Sequence, residues 1–276
     1  MTILIVGGTG KTGSRVVRRL RHAGHPVRAL SRSTSPTFDW HDEATWAQAI
    51  AGADRAYLAY APDIALPGAL PVVRRFTEFC LSSGLRRLVL LTGRGEAEAL
   101  AAENALMSSG AEWTIVRSSW FAQNFSEGFF ADEIRAGRVH FPRFDVPEPF
   151  IDIEDIADIV TAALIEPGHS RKLYDVTGPD LITFRDALAV IARALGRPIQ
   201  TLPLSIPDYV AALNAAQVPA PYVQLLEILT TEVLDGRNTH MSTGVMGALG
   251  RPPRSFEAYV AAVMASGVWA SEAAAP

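Results

Sequence analysis

The chain of 276 residues is 49% hydrophobic and 20% charged, long and apolar enough to bury a sizeable core and too apolar for a disordered protein. Its formal net charge of −4 comes from acids and arginines spread along the chain, which excludes a nucleic-acid binder working through a basic face. A single cysteine, Cys80, excludes an internal disulfide or a cysteine-based metal cluster, and none of the six histidines pairs at metal-ligand spacing, so no metal is expected. No apolar run reaches the roughly 18 residues of a spanning helix, and residues 3–6 are preceded by no charged leader, so a cytoplasmic protein away from membranes is expected.

In chain order, residues 2–6 form a continuous apolar run, as in a parallel strand buried on both faces. After a glycine-rich turn, Val16, Val17, Leu20 and Ala23 recur at helical spacing, and Gly24 supplies a left-handed cap. Residues 26–30 read as a second strand, completing a βαβ unit. The rhythm continues with strands at 54–61, 87–91 and 113–116 and helices at 70–83 and 96–109. Cys80 lies on the 70–83 helix, at helical spacing from Phe76, and reads as a buried structural thiol. From 118 to 150 the pattern loosens into aromatics and prolines. Asp152 then caps a helix carrying Ile156, Ile159, Val160, Ala163 and Leu164 on one face. Residues 172–176 read as the last strand. Thr183 and Asp186 form a capping box for a helix ending at Gly196, and the remainder is mostly helical up to an Ala-rich tail at 270–276 that reads as frayed. The fold class is α/β, a Rossmann-like doubly wound parallel sheet from residues 1–117 and 151–178, with a smaller, mostly helical substrate lobe from 118–150 and 179–276.

The stretch ILIVGGTGKTGSRVV at 3–17 contains Gly10-Lys11-Thr12, which ends the phosphate loop of ATPases. That loop, G-x-x-x-x-G-K-[ST], needs a glycine where this chain has Ile5, inside the strand. Gly7, Gly10 and Gly13 instead give G-x-x-G-x-x-G at a strand-to-helix junction, with Thr9, Lys11 and Thr12 between them, and this spacing suits a dinucleotide pyrophosphate at a helix N-terminus. At the end of the second strand an NAD site carries an acid for the ribose 2′-hydroxyl; here stand Leu30-Ser31-Arg32-Ser33, with no acid before Asp39. Arg32 can fork onto a 2′-phosphate, with Ser31 or Ser33 donating beside it and Lys11 adding positive charge, so NADP is favoured over NAD.

With these pieces in hand, the chain resembles the NmrA-like group of atypical short-chain dehydrogenase/reductases. The resemblance is carried by GGTGKTG at 7–13, VRALSR at 27–32, LVLLTG at 88–93, SSGAEWTIVRSSWFAQNF at 108–125, PFIDIEDIAD at 149–158 and KLYDVTGPDLITFRDA at 172–187. Within the group, residues 31–46 and 120–127 look most like the festuclavine synthase and agroclavine dehydrogenase type of ergot-alkaloid secondary metabolism. The resemblance implies NAD(P)H across the strand ends. Phe38 and Asp39 would lie near the adenine, and Tyr60, Ala61 and Pro62 beside the ribose and pyrophosphate. Thr92, Gly93, Ser118, Ser119, Trp120 and Phe121 would bracket the nicotinamide.

One motif of the wider superfamily is missing. The chain has two lysines, Lys11 and Lys172, and the places where a Tyr-x-x-x-Lys pair would put its tyrosine are Gly7 and Gly168. Residues 93–107 hold no Tyr, Lys or His, so no strong internal acid is expected and a ketone substrate is disfavoured. Two readings stay open. One is a reductase of an acceptor that is already electron-poor, an iminium ion or a quinone of aromatic-polyketide or antibiotic type, whose quinol could reoxidise in oxygen and register as hydroxylation. The other is an NADP-binding redox sensor without turnover. Thr92, Ser119 and Asn124 are the polar candidates to orient a substrate. Trp120, Phe121, Phe125, Phe129 and Phe130 either wall a pocket for a flat polycyclic molecule or form a plain core. A small aromatic molecule is the expected partner; the oligomeric state stays open.

Overall fold

A computed structural model describes residues 2–270, leaving the Ala-rich end at 271–276 outside the described residues. In chain order it runs β1 (Thr2–Val6), α1 (Lys11–His22), β2 (Val27–Leu30), α2 (Trp46–Ile50), β3 (Ala53–Leu58), α3 (Ala69–Ser82), β4 (Arg87–Gly93), α4 (Ala97–Met107) and β5 (Glu112–Ser118). It continues through α5 (Phe130–Arg135), β6 (Arg138–Phe141), β7 (Pro147–Glu148), α6 (Ile153–Ile165), β8 (Lys172–Val176), β9 (Ile182–Thr183), α7 (Phe184–Leu195) and β10 (Gln200–Pro203). Four helices end it: α8 (Ile206–Ala215), α9 (Ala220–Ile228), α10 (Gly244–Leu249) and α11 (Phe256–Ser266).

Two compact units emerge. The first takes Met1–Ser118, Ile153–Val176 and Ser242–Arg251. Its sheet has six parallel strands in the order β2-β1-β3-β4-β5-β8. The order reverses beside β1, and a doubly wound sheet binds ligands at the carboxyl ends of the strands at such a switch point. The central strands lack alternation because helices cover both faces; Leu4, Ile5, Val6, Leu88, Val89 and Leu90 are all buried. Phe76 on α3 packs its ring against Phe38, Trp40 and Trp46, anchoring the loop after β2. Cys80 is in the same core, and burial pushes its thiol up to about 12, which leaves it a packing residue.

The chain's return into this unit is held by charge. Arg15 Nε lies 2.6 Å from Glu154 Oε1, Arg19 Nε 2.7 Å from Asp158 Oδ1, and Arg251 Nη2 2.7 Å from the buried Asp155. Glu154 and Asp158 on α6 thus meet the basic face of α1, with α6 arriving 139 residues later in the chain, while Asp155 meets Arg251. Residues 242–251, which the sequence pattern assigns to the lobe, belong to the first unit. They cluster with the first unit because Ser242 Oγ donates to Asp175 O at the end of β8 and α10 packs on that strand.

The second unit takes Ser119–Asp152, Thr177–Met241 and Pro252–Pro276. Its core is aromatic: Phe125, Phe130, Phe141, Phe150, Phe184 and Phe256 pack on one another, mostly edge to face. Two small sheets brace it, β10 parallel to β6 and β7 antiparallel to β9. The capping box at Thr183 is present in both halves. Asp152, expected to cap α6, gives one carboxylate oxygen to Gln123 Nε2 at 2.7 Å.

Candidate functional site

The glycine loop is compressed between β1, β2 and α1. Gly7 and Gly8 N–H both donate to Leu30 O at 3.0 Å, and Gly10 N–H donates to Gly7 O at 2.9 Å. Gly7 has φ +78°, which glycine adopts without strain. A Cβ on Gly13 would sit 2.2 Å from Gly7 O, and one on Gly8 2.8 Å from Ala29 Cβ. Side chains are thereby kept out of the loop, and backbone faces whatever lies over it. Gly10 caps α1 without a side-chain hydrogen bond, and the first turn carries no acid, so the amides of the helix start answer to an anion. These residues fit a dinucleotide pyrophosphate. Thr9 is exposed at the tip and Lys11 half-buried at the first helical position. Thr12 is buried, and its hydroxyl meets Tyr57 OH at 2.8 Å, so it fixes α1 to β3.

At the end of β2, Ser31 and Ser33 join through their hydroxyls at 3.0 Å. Arg32 between them is exposed and forms no ion pair among the described residues. Asp39 accepts from His41 N–H at 2.9 Å. Phe38 is 2% exposed, its ring in the core against Trp40 and Phe76, so only its backbone can border a ligand. Tyr60 stands half-buried beside Trp40 and His41, and exposed Ala61 and Pro62 follow it.

The ends of β4 and β5 are a knot of hydrogen bonds. Thr92 Oγ1 donates to Glu103 Oε1 at 2.6 Å, Arg117 Nε donates to the same carboxylate at 2.9 Å, and Ser118 Oγ donates to Thr92 O at 3.1 Å. Arg94, almost fully buried, lies 2.9 Å from Asp175. Thr92 and Ser118 are therefore brought together, but by hydroxyls that brace the sheet end. Glu96 reaches back over Gly93: a Cβ there would lie 2.0 Å from Glu96 Oε1. Its Oε2 is closed off from solvent without a hydrogen-bond partner among the described residues. Burial pushes this carboxyl well above the usual carboxylate range, and the neighbouring charges of Asp63 and Glu103 push the same way, against one hydrogen bond from Gly93.

In the second unit Ser119 Oγ donates to Pro149 O at 2.6 Å and is buried, so this hydroxyl is also committed. Asn124 is half-buried, its backbone N–H on Phe121 O. The aromatic stretch divides. Phe125 and Phe130 are 0% and 1% exposed and stack on each other, so they are core and not pocket wall. Phe129 is exposed and Phe121 half-buried. Trp120 is buried against Phe184, with its indole N–H unpartnered among the described residues.

Sequence reading passed over Asp63, Glu96 and Glu103. Residues 93–107 hold no Tyr, Lys or His, and a lone glutamate on a helix usually means a solvated face. The available signal was the pair Glu96 and Glu103, two helical turns apart directly after a strand end.

Comparisons with known proteins agree with this architecture. A family model described as NAD(P)H-binding matches residues 7–167. Over 278 residues the chain is 31% identical to agroclavine dehydrogenase of Claviceps fusiformis, covering 94% of this chain and 96% of that protein. Among solved structures, the triphenylmethane reductase of Citrobacter sp. complexed with NADP(H) superposes with a TM-score of 0.78 at 16% identity, over 94% of this chain and 98% of that one. The NADPH-dependent quinone oxidoreductase of Escherichia coli complexed with NADPH does so with 0.79 at 19%, over 95% and 99%. These two share the fold. The chain belongs to the NAD(P)H-binding, NmrA-like atypical short-chain dehydrogenase/reductases and is an NAD(P)H-dependent oxidoreductase.

Proposed function

We propose that this oxidoreductase uses NADPH to reduce an electron-poor aromatic or polycyclic small molecule, a cyclic iminium ion or a quinone, in cytoplasmic secondary metabolism. The observation that carries the reading is the missing Tyr-x-x-x-Lys pair, with Gly7 and Gly168 in the tyrosine's places. That pair supplies both a proton and a positive charge to polarise a carbonyl. Without that positive charge to polarise it, the acceptor must be electron-poor before it arrives, and the protein orients it and excludes water. The bound dinucleotide supplies hydride. The glycine loop holds its pyrophosphate, and Arg32 with Ser31 receives the 2′-phosphate. In the second unit, half-buried Phe121 and exposed Phe129 offer apolar faces to a flat ring. Relatives fit this range, since agroclavine dehydrogenase bears the name of an alkaloid substrate.

The test is a panel of simple ketones, quinones and cyclic iminium ions with NADPH, followed by product analysis and oxygen uptake. Quinones and iminium ions are expected to turn over and simple ketones poorly; ketones reacting as fast would overturn the reading. Oxygen uptake with quinones would identify the reoxidation that appears as hydroxylation. One observation favours the second reading, a sensor without turnover: the Thr92 and Ser119 hydroxyls are both spent on internal bonds. It expects firm NADPH binding and no turnover of any member.

A further inference from the structure

We propose that Glu96, set beside Asp63 at the carboxyl end of the sheet, is the proton donor of this reductase and that its acceptor is of the quinone class; the assignment rests on the reductase reading above. Glu96 occupies the cap position of α4 yet makes no side-chain cap hydrogen bond, so the ordinary structural use of an acid there is missing. Its carboxyl is instead folded back onto Gly93, in space that any other residue's Cβ would take. Oε2 is shut from solvent and unpartnered among the described residues, and neither Glu96 nor Asp63 has a lysine or arginine partner there. The third acid, Glu103, is neutralised by Arg117.

Two buried carboxyls without a cation keep one proton between them. Burial pushes both carboxyls up, but two backbone N–H groups, of Ile64 and Ala65, hydrogen-bond the Asp63 carboxylate and pull it back, whereas Glu96 has the single bond from Gly93 and the charges of Asp63 and Glu103 beside it. The proton therefore sits on Glu96. Glu96 lies over Gly93 at the end of β4, and Asp63 follows Tyr60-Ala61-Pro62 beyond the end of β3; a doubly wound sheet binds its ligand at such strand ends.

The chemistry selects the acceptor. A quinone that gains hydride, and with it two electrons, becomes a hydroquinone monoanion. The Glu96 O–H bond breaks, the phenolic O–H bond forms, and the Glu96 carboxylate regains a proton from water. An iminium ion that gains hydride becomes a neutral amine and leaves Glu96 nothing to protonate.

Two measurements test this. Infrared titration of the cofactor-free protein should show a protonated carboxyl band at neutral pH that is lost in Glu96→Gln. With NADPH and a benzoquinone, kcat of the wild type should fall as pH rises, while Glu96→Gln should lose ~100-fold or more in kcat and the alkaline fall. Glu96→Asp should recover part of the rate. No such band in the wild type, or a band that persists in Glu96→Gln, overturns the proposal. So does a Glu96→Gln variant that reduces quinone with the wild-type kcat and pH profile, in which case the reductase reading stands and the acid assignment alone falls. A wild type that binds NADPH but reduces no quinone removes the quinone reading, and the proposal with it.

Discussion

Arg32 and Glu96 are opposite cases of a charged residue at a strand end. Arg32 is exposed, flanked by two serine hydroxyls, with no acid to hold it. A guanidinium there can meet a phosphate at little desolvation cost. Arg32→Ala should weaken NADPH binding by ~1.5–3 kcal/mol and NADH binding far less, measured by calorimetry; equal losses would make Arg32 structural. Glu96 is enclosed, and its carboxyl is held above the usual range by burial and then by Asp63 and Glu103. An acid whose folded-state affinity for protons exceeds its unfolded one binds more protons when folded, so stability falls as pH rises from the ordinary carboxylate range toward the raised value. Glu96→Gln should remove that slope. Its melting temperature should exceed the wild type's at neutral pH, and the gain should vanish below the usual carboxylate range. A constant difference across pH would mean that Glu96 does not titrate in the folded protein.

The element that the loop and α1 make together depends on contact distances. Gly13→Ala would push a methyl to 2.2 Å from Gly7 O, a backbone atom that cannot swing aside. The helix start must then move off the loop, at a cost of ~1–3 kcal/mol in stability. NADPH affinity should fall with it, as urea titration and calorimetry would report; unchanged affinity would mean that the loop is not the pyrophosphate site. Elements of this kind were legible in the sequence because their signals are local: a continuous apolar run for β1, helical spacing for α1, Thr183 with Asp186 for the start of α7. The strands β6, β7, β9 and β10 were not, since they span two to four residues and exist through partners distant in the chain, as Gln200 pairs with Arg138. Likewise Phe125 and Phe130 read the same as Phe129 in sequence. Only packing separates a buried stack from an exposed ring. Glu96 was hidden for the same reason: its carboxyl is raised by enclosure first and then by Asp63, on a different strand-end loop, and by Glu103.

For the whole molecule the question is which nucleotide the Gly10-Lys11-Thr12 stretch serves. Ile5, which would have to be a loop glycine in an ATPase, is a fully buried member of β1 paired to Ala29 and Tyr57. The loop therefore starts too late to wrap a triphosphate. The nucleotide-binding unit is assembled from three separated stretches, Met1–Ser118, Ile153–Val176 and Ser242–Arg251, with α6 clamped to α1 by Glu154 and Asp158. Ligand held at its strand ends thus opposes unfolding of stretches far apart in sequence. NADPH at a hundred times its Kd should raise unfolding free energy by ~2.7 kcal/mol. Hydrogen exchange should slow around 7–13, 31–33 and 92–96. ATP with magnesium at the same concentration should leave both unchanged. A shift with ATP–magnesium and none with NADPH would sink the dinucleotide assignment, and with it the anion site inferred at the start of α1.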